Sequence, residues 1–220
     1  MGDHLELIEA LKGMGPWGPD ATSVVVAHPR DGILGYFDQY GLDHFSGDFL
    51  SPNLEVPLMN GLSNPLLVEE NFTLDFDGFE LFNGKRFDLI RTPTHDEMER
   101  NRAYLDGEPG SSPVGIYEII SRTMEEQEAL ADLSQDFFLT TELEGTVDDW
   151  FNLLNLGFRH TGVGNSDTHG ISSTEAGCPR NFVISEVDSP ELIDERDVAT
   201  AINEHRVVPS YGPIIRFTAD

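Results

Sequence analysis

The sequence contains a single cysteine, Cys178, among 220 residues. One cysteine excludes an internal disulfide and a zinc site built from several cysteines. No apolar run approaches the ~20 residues that a membrane-spanning helix needs. The acidic start of the chain, Gly2 to Glu6, lacks the basic and apolar segments of a secretory signal. We therefore expect a soluble protein without a membrane span, cytoplasmic, or periplasmic or secreted if a signal lies in a missing N-terminal part.

Basic residues are also scarce, since 13 Lys and Arg stand against 40 Asp and Glu, for a net charge of −27. The only lysines are Lys12 and Lys85. Such a surface repels a phosphate backbone, so we expect no nucleic-acid partner. Many acids with almost no lysine suit a protein kept soluble in high salt, where screening weakens self-repulsion. The sequence leaves two interpretations open, a saline habitat or simply an acidic soluble enzyme.

The most informative segment runs from Gly164 to Gly170 and contains Asp167 and His169. In an extended segment, side chains two residues apart leave the same face. A carboxylate and an imidazole on one face are a ligand pair for a divalent cation such as zinc, manganese or iron. The alternative is a structural turn, because Asp side chains in Gly-rich loops often bond their own backbone.

A second candidate ligand, His28, follows the apolar, β-branched run from Thr22 to Ala27. This run predicts a buried strand, and Pro29 ends it. Barrels of alternating strands and helices place functional side chains at the carboxyl ends of their strands. A histidine at this point therefore favours a site, and a core histidine with satisfied hydrogen bonds is the alternative.

The rest of the chain alternates predicted helices and strands and is 39% hydrophobic, enough for one α/β domain. Glu80 lies inside an apolar predicted strand, which is costly unless the carboxylate is paired, hydrogen-bonded or metal-bound; pairing with Lys85 or Arg86 is one alternative. Residues 31–71 are irregular and aromatic, which indicates either a functional loop or a local core beneath it. Residues 91–145 are predicted to be helical and peripheral, with His95 exposed at a helix start.

Four stretches occur in the order that is typical of one superfamily: Ala27–Arg30, Phe79–Gly84, Trp150–Gly157 and Gly164–Gly170. Together they resemble the PHP (polymerase and histidinol phosphatase) superfamily, in its CehA/McbA-type metallohydrolase branch. The stretches Gly177–Arg180 and Ser210–Pro213 are also similar to that branch. The resemblance covers most of the chain apart from residues 31–71 and 91–145.

The resemblance implies a distorted (β/α)7 barrel with two or three metal ions at the carboxyl ends of its strands. The residues that it assigns to this site are the metal ligands His28, Asp167, His169 and Glu80, the nearby Asn83, and two candidates for holding an anionic substrate, Arg30 and Arg180. Guanidinium groups suit phosphate or carboxylate, although either arginine could instead pair with surface acids.

The chain departs from the family because it contains no His-x-His pair. We therefore expect one domain, residues 1–220, that corresponds to the latter half of the barrel, incomplete at its N-terminus and at its C-terminal end, with residues 91–145 as a helical insertion. The predicted function is metal-dependent hydrolysis of phosphoesters, or of carbamate or amide esters, in a small anionic or ester substrate. With half of the metal shell missing, we expect this chain alone to be inactive or weak. The alternatives are a non-catalytic binding or structural module and an acidic protein that condenses cations on its surface.

Overall fold

The computed structural model describes residues 4–30, 35–49, 68–83, 95–112, 145–169, 176–212 and 214. Within these ranges the helices are α1 (His4–Met14), α2 (Tyr36–Tyr40), α3 (His95–Leu105), α4 (Thr146–Asn155) and α5 (Glu195–Asn203). The strands are β1 (Val25–Val26), β2 (Leu42–Asp43), β3 (Asp48–Phe49), β4 (Gly78–Asn83), β5 (Thr161–Asn165), β6 (Arg180–Val183) and β7 (Val207–Ser210). None of these helices has the length and apolar character needed to cross a membrane.

A three-stranded parallel sheet in the order β1-β4-β5 forms the centre of the described structure. Val26 pairs with Phe79 between the first two strands, and Asn83 pairs with Asn165 between the last two. Parallel strands joined through intervening helices agree with the predicted α/β class. The described strands form no closed barrel, and the partial (β/α)7 barrel stays a prediction.

A two-stranded antiparallel sheet of β6 and β7, which are separated in sequence by α5, packs beside β5. The approach is close at Gly164, where an added Cβ would lie 3.2 Å from Pro209 Cβ and 3.3 Å from Pro179 Cβ. A glycine at this position lets the β6–β7 pair reach the carboxyl end of the central sheet.

Aromatic side chains from α2 and β4 form much of the core. Phe37, Tyr40 and Phe79 are fully buried, and the rings of Phe37 and Phe79 meet edge to face with centroids 5.2 Å apart. Edge-to-face packing is a favoured arrangement of aromatic rings. For the described part of residues 31–71, the local aromatic core is therefore confirmed; residues 50–67 lie outside the described residues.

Helix α4 packs against the sheet through Leu153, which is fully buried. The Asp148 carboxylate accepts the Gly145 backbone N–H at 2.7 Å, which caps the start of the helix. Gly157 has a φ of 98° just beyond the helix end, as a left-handed C-terminal residue requires. Of the apolar residues Trp150, Leu153 and Leu154 of this helix, only Leu153 is fully buried.

The predicted helical insertion is described only in residues 95–112. Helix α3 begins at His95, which is exposed as expected. The Arg102 side chain on this helix contacts the Asp43 carboxylate, and its Nη2 lies 3.5 Å from Asp48 Oδ2. These ion pairs connect α3 to the β2–β3 hairpin. Residues 113–144 of the insertion lie outside the described residues.

Replacement of Leu153 by alanine removes a fully buried side chain from between α4 and the sheet. We expect Leu153→Ala to lower the free energy of unfolding by about 2–5 kcal/mol, because the cavity adds to the lost apolar transfer energy. Urea unfolding followed by circular dichroism measures the change. The control is Phe151→Ala on the same helix, whose side chain is 55% exposed; an equal loss in both variants would contradict the assigned packing.

His160 lies buried at the start of β5, with its ring stacked on Phe76 at a centroid distance of 4.3 Å. Its Nε2 donates to the Leu74 carbonyl over 2.8 Å. Burial lowers the pKa of His160 below the ordinary value of 6.5, although the Leu74 hydrogen bond opposes the shift. The folded protein therefore holds this imidazole neutral at a pH where the unfolded chain already binds a proton.

Since the unfolded state binds this proton first, the free energy of unfolding should fall as the pH is lowered through 6.5. The stability contributed by neutral His160 is present above pH 6.5 and is lost as the pH falls toward its folded pKa. We expect His160→Gln to flatten the pH dependence of urea unfolding between about pH 7 and 5. An identical slope in the variant and the unchanged protein would assign the dependence to other groups.

Candidate metal centre

The carboxyl ends of β1, β4 and β5 lie at one edge of the parallel sheet. His28 follows β1, Glu80 is the third and Asn83 the last residue of β4, and Asp167 and His169 follow β5. Parallel strands bring the residues at their carboxyl ends to the same edge. Glu80 contacts the His28 backbone and the Asn83 side chain there, and the role of the four predicted ligands stays a prediction.

Glu80 is the buried centre of this edge, with 1% of its surface exposed. Its Oε2 accepts the backbone N–H of His28 at 2.7 Å and the Asn83 side-chain amide at 3.1 Å. Its Oε1 accepts the Asn165 side-chain amide at 2.9 Å. Three neutral donors compensate the loss of water around the carboxylate. The Glu80 carboxylate is therefore hydrogen-bonded, which is one of the states that the sequence left open. Lys85 and Arg86, its alternative partners, lie outside the described residues.

Two predicted ligands have unusual backbone conformations. His28 has a φ of 30° and Asp167 a φ of 45°, and His205 is the third non-glycine residue with positive φ in the described ranges. Positive φ is uncommon for residues with a side chain and often marks functional sites. It also changes the explanation for Asp167, because β5 ends at Asn165 and the side-chain direction of Asp167 is not set by strand alternation.

The side chains of Asp167 and His169 contact each other, with Asp167 Oδ1 2.7 Å from His169 Nε2. A carboxylate can only accept a hydrogen bond, so Nε2 carries the proton in this pairing. The His169 side chain is 74% exposed, whereas that of Asp167 is 25% exposed. The pair is therefore in mutual contact and accessible from solvent.

The four predicted ligands are not arranged as a closed metal shell. In the part of the chain that the structure describes, one group of three potential ligand atoms lies within 4.8 Å of one another, and it consists of His95, Asp96 and Glu99. All three are exposed on α3, away from the predicted ligand set in sequence. A cation shared by His28, Glu80, Asp167 and His169 remains a prediction that requires the side chains to move closer together.

Asn165 was not identified as a site residue from the sequence. It pairs with Asn83 across the β4–β5 register and donates to Glu80. The sequence contained one signal for Asn165, because Asn165, Asp167 and His169 follow one another at intervals of two residues. Asn83, which was placed near the site, contacts Glu80 directly and is itself buried.

Arg30 takes the alternative role that the sequence left open, because it pairs with acids. Its Nη2 lies 2.6 Å from Asp149 Oδ1, its Nη1 lies 3.3 Å from Asp38 Oδ1, and Nη2 also donates to the Leu42 carbonyl at 3.1 Å. The expectation of surface partners needs correction, since all three side chains are buried. Burial disfavours the charged guanidinium, but the two carboxylates outweigh it and raise the pKa of Arg30. Its donors thus serve the core instead of a substrate.

Arg180, the other predicted substrate-binding residue, is exposed at the start of β6 and pairs with Ser210 of β7. It follows the loop at Pro179, which packs on Gly164 of β5. This location leaves its guanidinium accessible to an anion, so a substrate-binding role stays a prediction.

Compared with known proteins, the chain matches no family model, and no curated protein or solved structure is significantly similar to it.

The buried pair of Arg30 and Asp149 predicts a large stability effect. We expect Asp149→Asn to lower the free energy of unfolding by about 3–5 kcal/mol, because it leaves a buried guanidinium without its closest charge partner. Chemical denaturation measures the loss. The control is Asp75→Asn, which removes the largely exposed partner of Lys12 and should cost below about 1 kcal/mol. Equal costs would mean that the Arg30 pair is solvated.

Proposed function

We propose that this chain carries a divalent-metal site at the carboxyl ends of β1, β4 and β5 and acts in metal-dependent hydrolysis of an ester, either a phosphoester or a carbamate or amide ester. The single observation that carries the proposal is the buried Glu80 carboxylate, held between the ends of three parallel strands, the last of which is followed by the Asp167–His169 pair. The PHP-type resemblance supplies the reaction class.

Glu80 retains acceptor capacity for a cation. A carboxylate offers about four lone-pair positions on its two oxygens. In the described structure Oε2 accepts two N–H groups and Oε1 accepts one. The remaining position on Oε1 suits one bond to a cation, while the three donors fix the orientation of the group.

A metal could take the place of the hydrogen bond between Asp167 and His169, whose ligand atoms already lie 2.7 Å apart. A neutral imidazole binds a metal through one ring nitrogen and keeps its proton on the other. Binding through His169 Nε2 would therefore move its proton to Nδ1. Imidazole with carboxylates suits zinc, manganese or iron.

A bound cation would lower the pKa of a water and polarise the ester oxygen. The chain's own residues would bind and orient: His28, Glu80 and Asp167 or His169 would hold the ion, and the exposed Arg180 guanidinium would hold an anionic group of the substrate. The net charge of −27 attracts cations to the surface but opposes an anionic substrate. A local cation at the site is thus needed for such a substrate to bind.

A non-catalytic module is the second candidate. The observation that favours it is that protein donors already satisfy Glu80, as a purely structural carboxylate requires. Metal binding distinguishes the two candidates before any substrate is known.

The first experiment measures zinc and manganese affinity by titration calorimetry, with excess magnesium and salt present to suppress diffuse binding to the acidic surface. Asp167→Asn keeps side-chain volume and deletes a ligand charge. We expect it to weaken the affinity at least about tenfold with little change in the urea midpoint. Metal-loaded protein is then assayed on nitrophenyl phosphates and carbamates, where the same variant should lose most activity.

The matched control is Asp96→Asn in the exposed group His95, Asp96 and Glu99. It deletes the same charge at the rival cluster and should leave zinc affinity unchanged. If Asp96→Asn lowers the affinity and Asp167→Asn does not, the cation belongs to α3 and the proposed centre is wrong. Absence of specific zinc binding would favour the non-catalytic module, in which protein donors alone satisfy Glu80.

A further inference from the structure

Glu80 is connected to the β6–β7 pair by a chain of side-chain amides. Asn181 on β6 donates from Nδ2 to Asn165 Oδ1 at 3.2 Å, and Asn165 donates from its own Nδ2 to Glu80 Oε1 at 2.9 Å. At its far end, Asn181 Oδ1 accepts the backbone N–H of Gly164 at 2.8 Å. The chain therefore runs from a backbone donor on β5 to a buried carboxylate on β4.

Both ends of this chain have fixed polarity. A backbone N–H can only donate, so it requires the oxygen of the Asn181 amide; a carboxylate can only accept, so it requires the nitrogen of the Asn165 amide. An asparagine amide can turn over, and its hydrogen-bond partners decide its orientation. One arrangement of the two amides meets both requirements. Asn181 presents its oxygen to Gly164 and its nitrogen to Asn165, and the Asn165 nitrogen then faces Glu80.

From this geometry we infer that Asn181 is a positioning residue that acts through Asn165 to orient the Glu80 carboxylate toward a cation; this inference rests on the proposed function. Oε2 has two donors, whereas Asn165 is the single donor recorded to Oε1 in the described structure. Oε1 is also the oxygen with capacity for a metal bond. Loss of Asn181 removes the donor to Asn165 Oδ1, so the Asn165 amide is held by Glu80 alone and its hydrogen bond orients Oε1 less firmly.

The β6–β7 pair can perform this role because it lies close to the central sheet. Pro179, two residues before Asn181, and Pro209, the β7 residue that pairs with Asn181, both lie next to Gly164. This contact fixes the position of Asn181 relative to the end of β5. Groups that orient a metal ligand typically change metal affinity 10–100-fold when they are removed.

The test is a mutant cycle in zinc affinity on the 220-residue chain, with Asn181→Ala, Glu80→Gln and the double variant. We expect Asn181→Ala to weaken zinc binding about tenfold and to have no further effect when Glu80→Gln is present, because both changes act at one ligand. Effects that multiply in the double variant would overturn the inference.

The control is Asn203→Ala, which removes an amide that donates to the Asp20 and Thr22 carbonyls before β1. It should lower the urea midpoint without changing zinc affinity. If Asn181→Ala matches this behaviour, its role is structural and the inference is wrong.

A second readout does not depend on metal. In nitrogen-15 spectra of the metal-free chain, Asn181→Ala should shift the side-chain amide signals of Asn165 and speed their proton exchange several-fold. Unchanged Asn165 signals would overturn the inference. If the signals respond but the unchanged protein binds no zinc, Asn181 orients Glu80 and the proposed metal function is the part that fails.

Discussion

The burial of one carboxylate constrains the whole edge of the central sheet. Glu80 is 1% exposed, and a carboxylate removed from water is costly unless several donors surround it. Those donors come from three segments: the backbone after β1, Asn83 on β4 and Asn165 on β5. Because each donor must lie within hydrogen-bond distance, Glu80 fixes the spacing of the strand ends. The hydrogen bonds of Glu80 therefore stabilise both the edge of the sheet and the candidate site.

Three of the basic residues in the described part of the chain each contact two acids. Among the described residues, bases that contact two carboxylates are Lys12 with Asp75 and Asp77, Arg30 with Asp38 and Asp149, and Arg102 with Asp43 and Asp48. Arg30 differs from Lys12 and Arg102 because its guanidinium is buried and would become an uncompensated charge without its carboxylate partners. A surface ion pair contributes little to the free energy of unfolding. With 13 bases for 40 acids, a buried arginine is committed to structure, which explains why Arg30 serves the core.

The sequence predicted the elements whose signals are local. The strand before His28, the helix start at His95 and the extended segment that leads to Asp167 were all readable from short windows. It did not predict that Arg30 is buried, because Asp149 lies 119 positions away and no local pattern links them. Asn165 was missed for a related reason, because the role of its side-chain amide depends on its partner Glu80, which lies on another strand. The barrel itself was inferred from resemblance, and three parallel strands do not decide how a sheet closes.

The two halves of the candidate centre differ in how firmly they are held. Glu80 is buried and fixed by three donors, whereas the His169 side chain is 74% exposed and contacts Asp167 alone among the recorded bonds. A rigid ligand sets where a cation binds, and an exposed imidazole can rotate to complete its coordination at the cost of rotamer entropy. The positive φ values at His28 and Asp167 place strain beside the fixed half. Such strain persists only if the surroundings enforce it, and the hydrogen bond from the His28 backbone to Glu80 is one contact that does so. The carboxylate therefore stabilises the backbone conformation from which the first ligand projects.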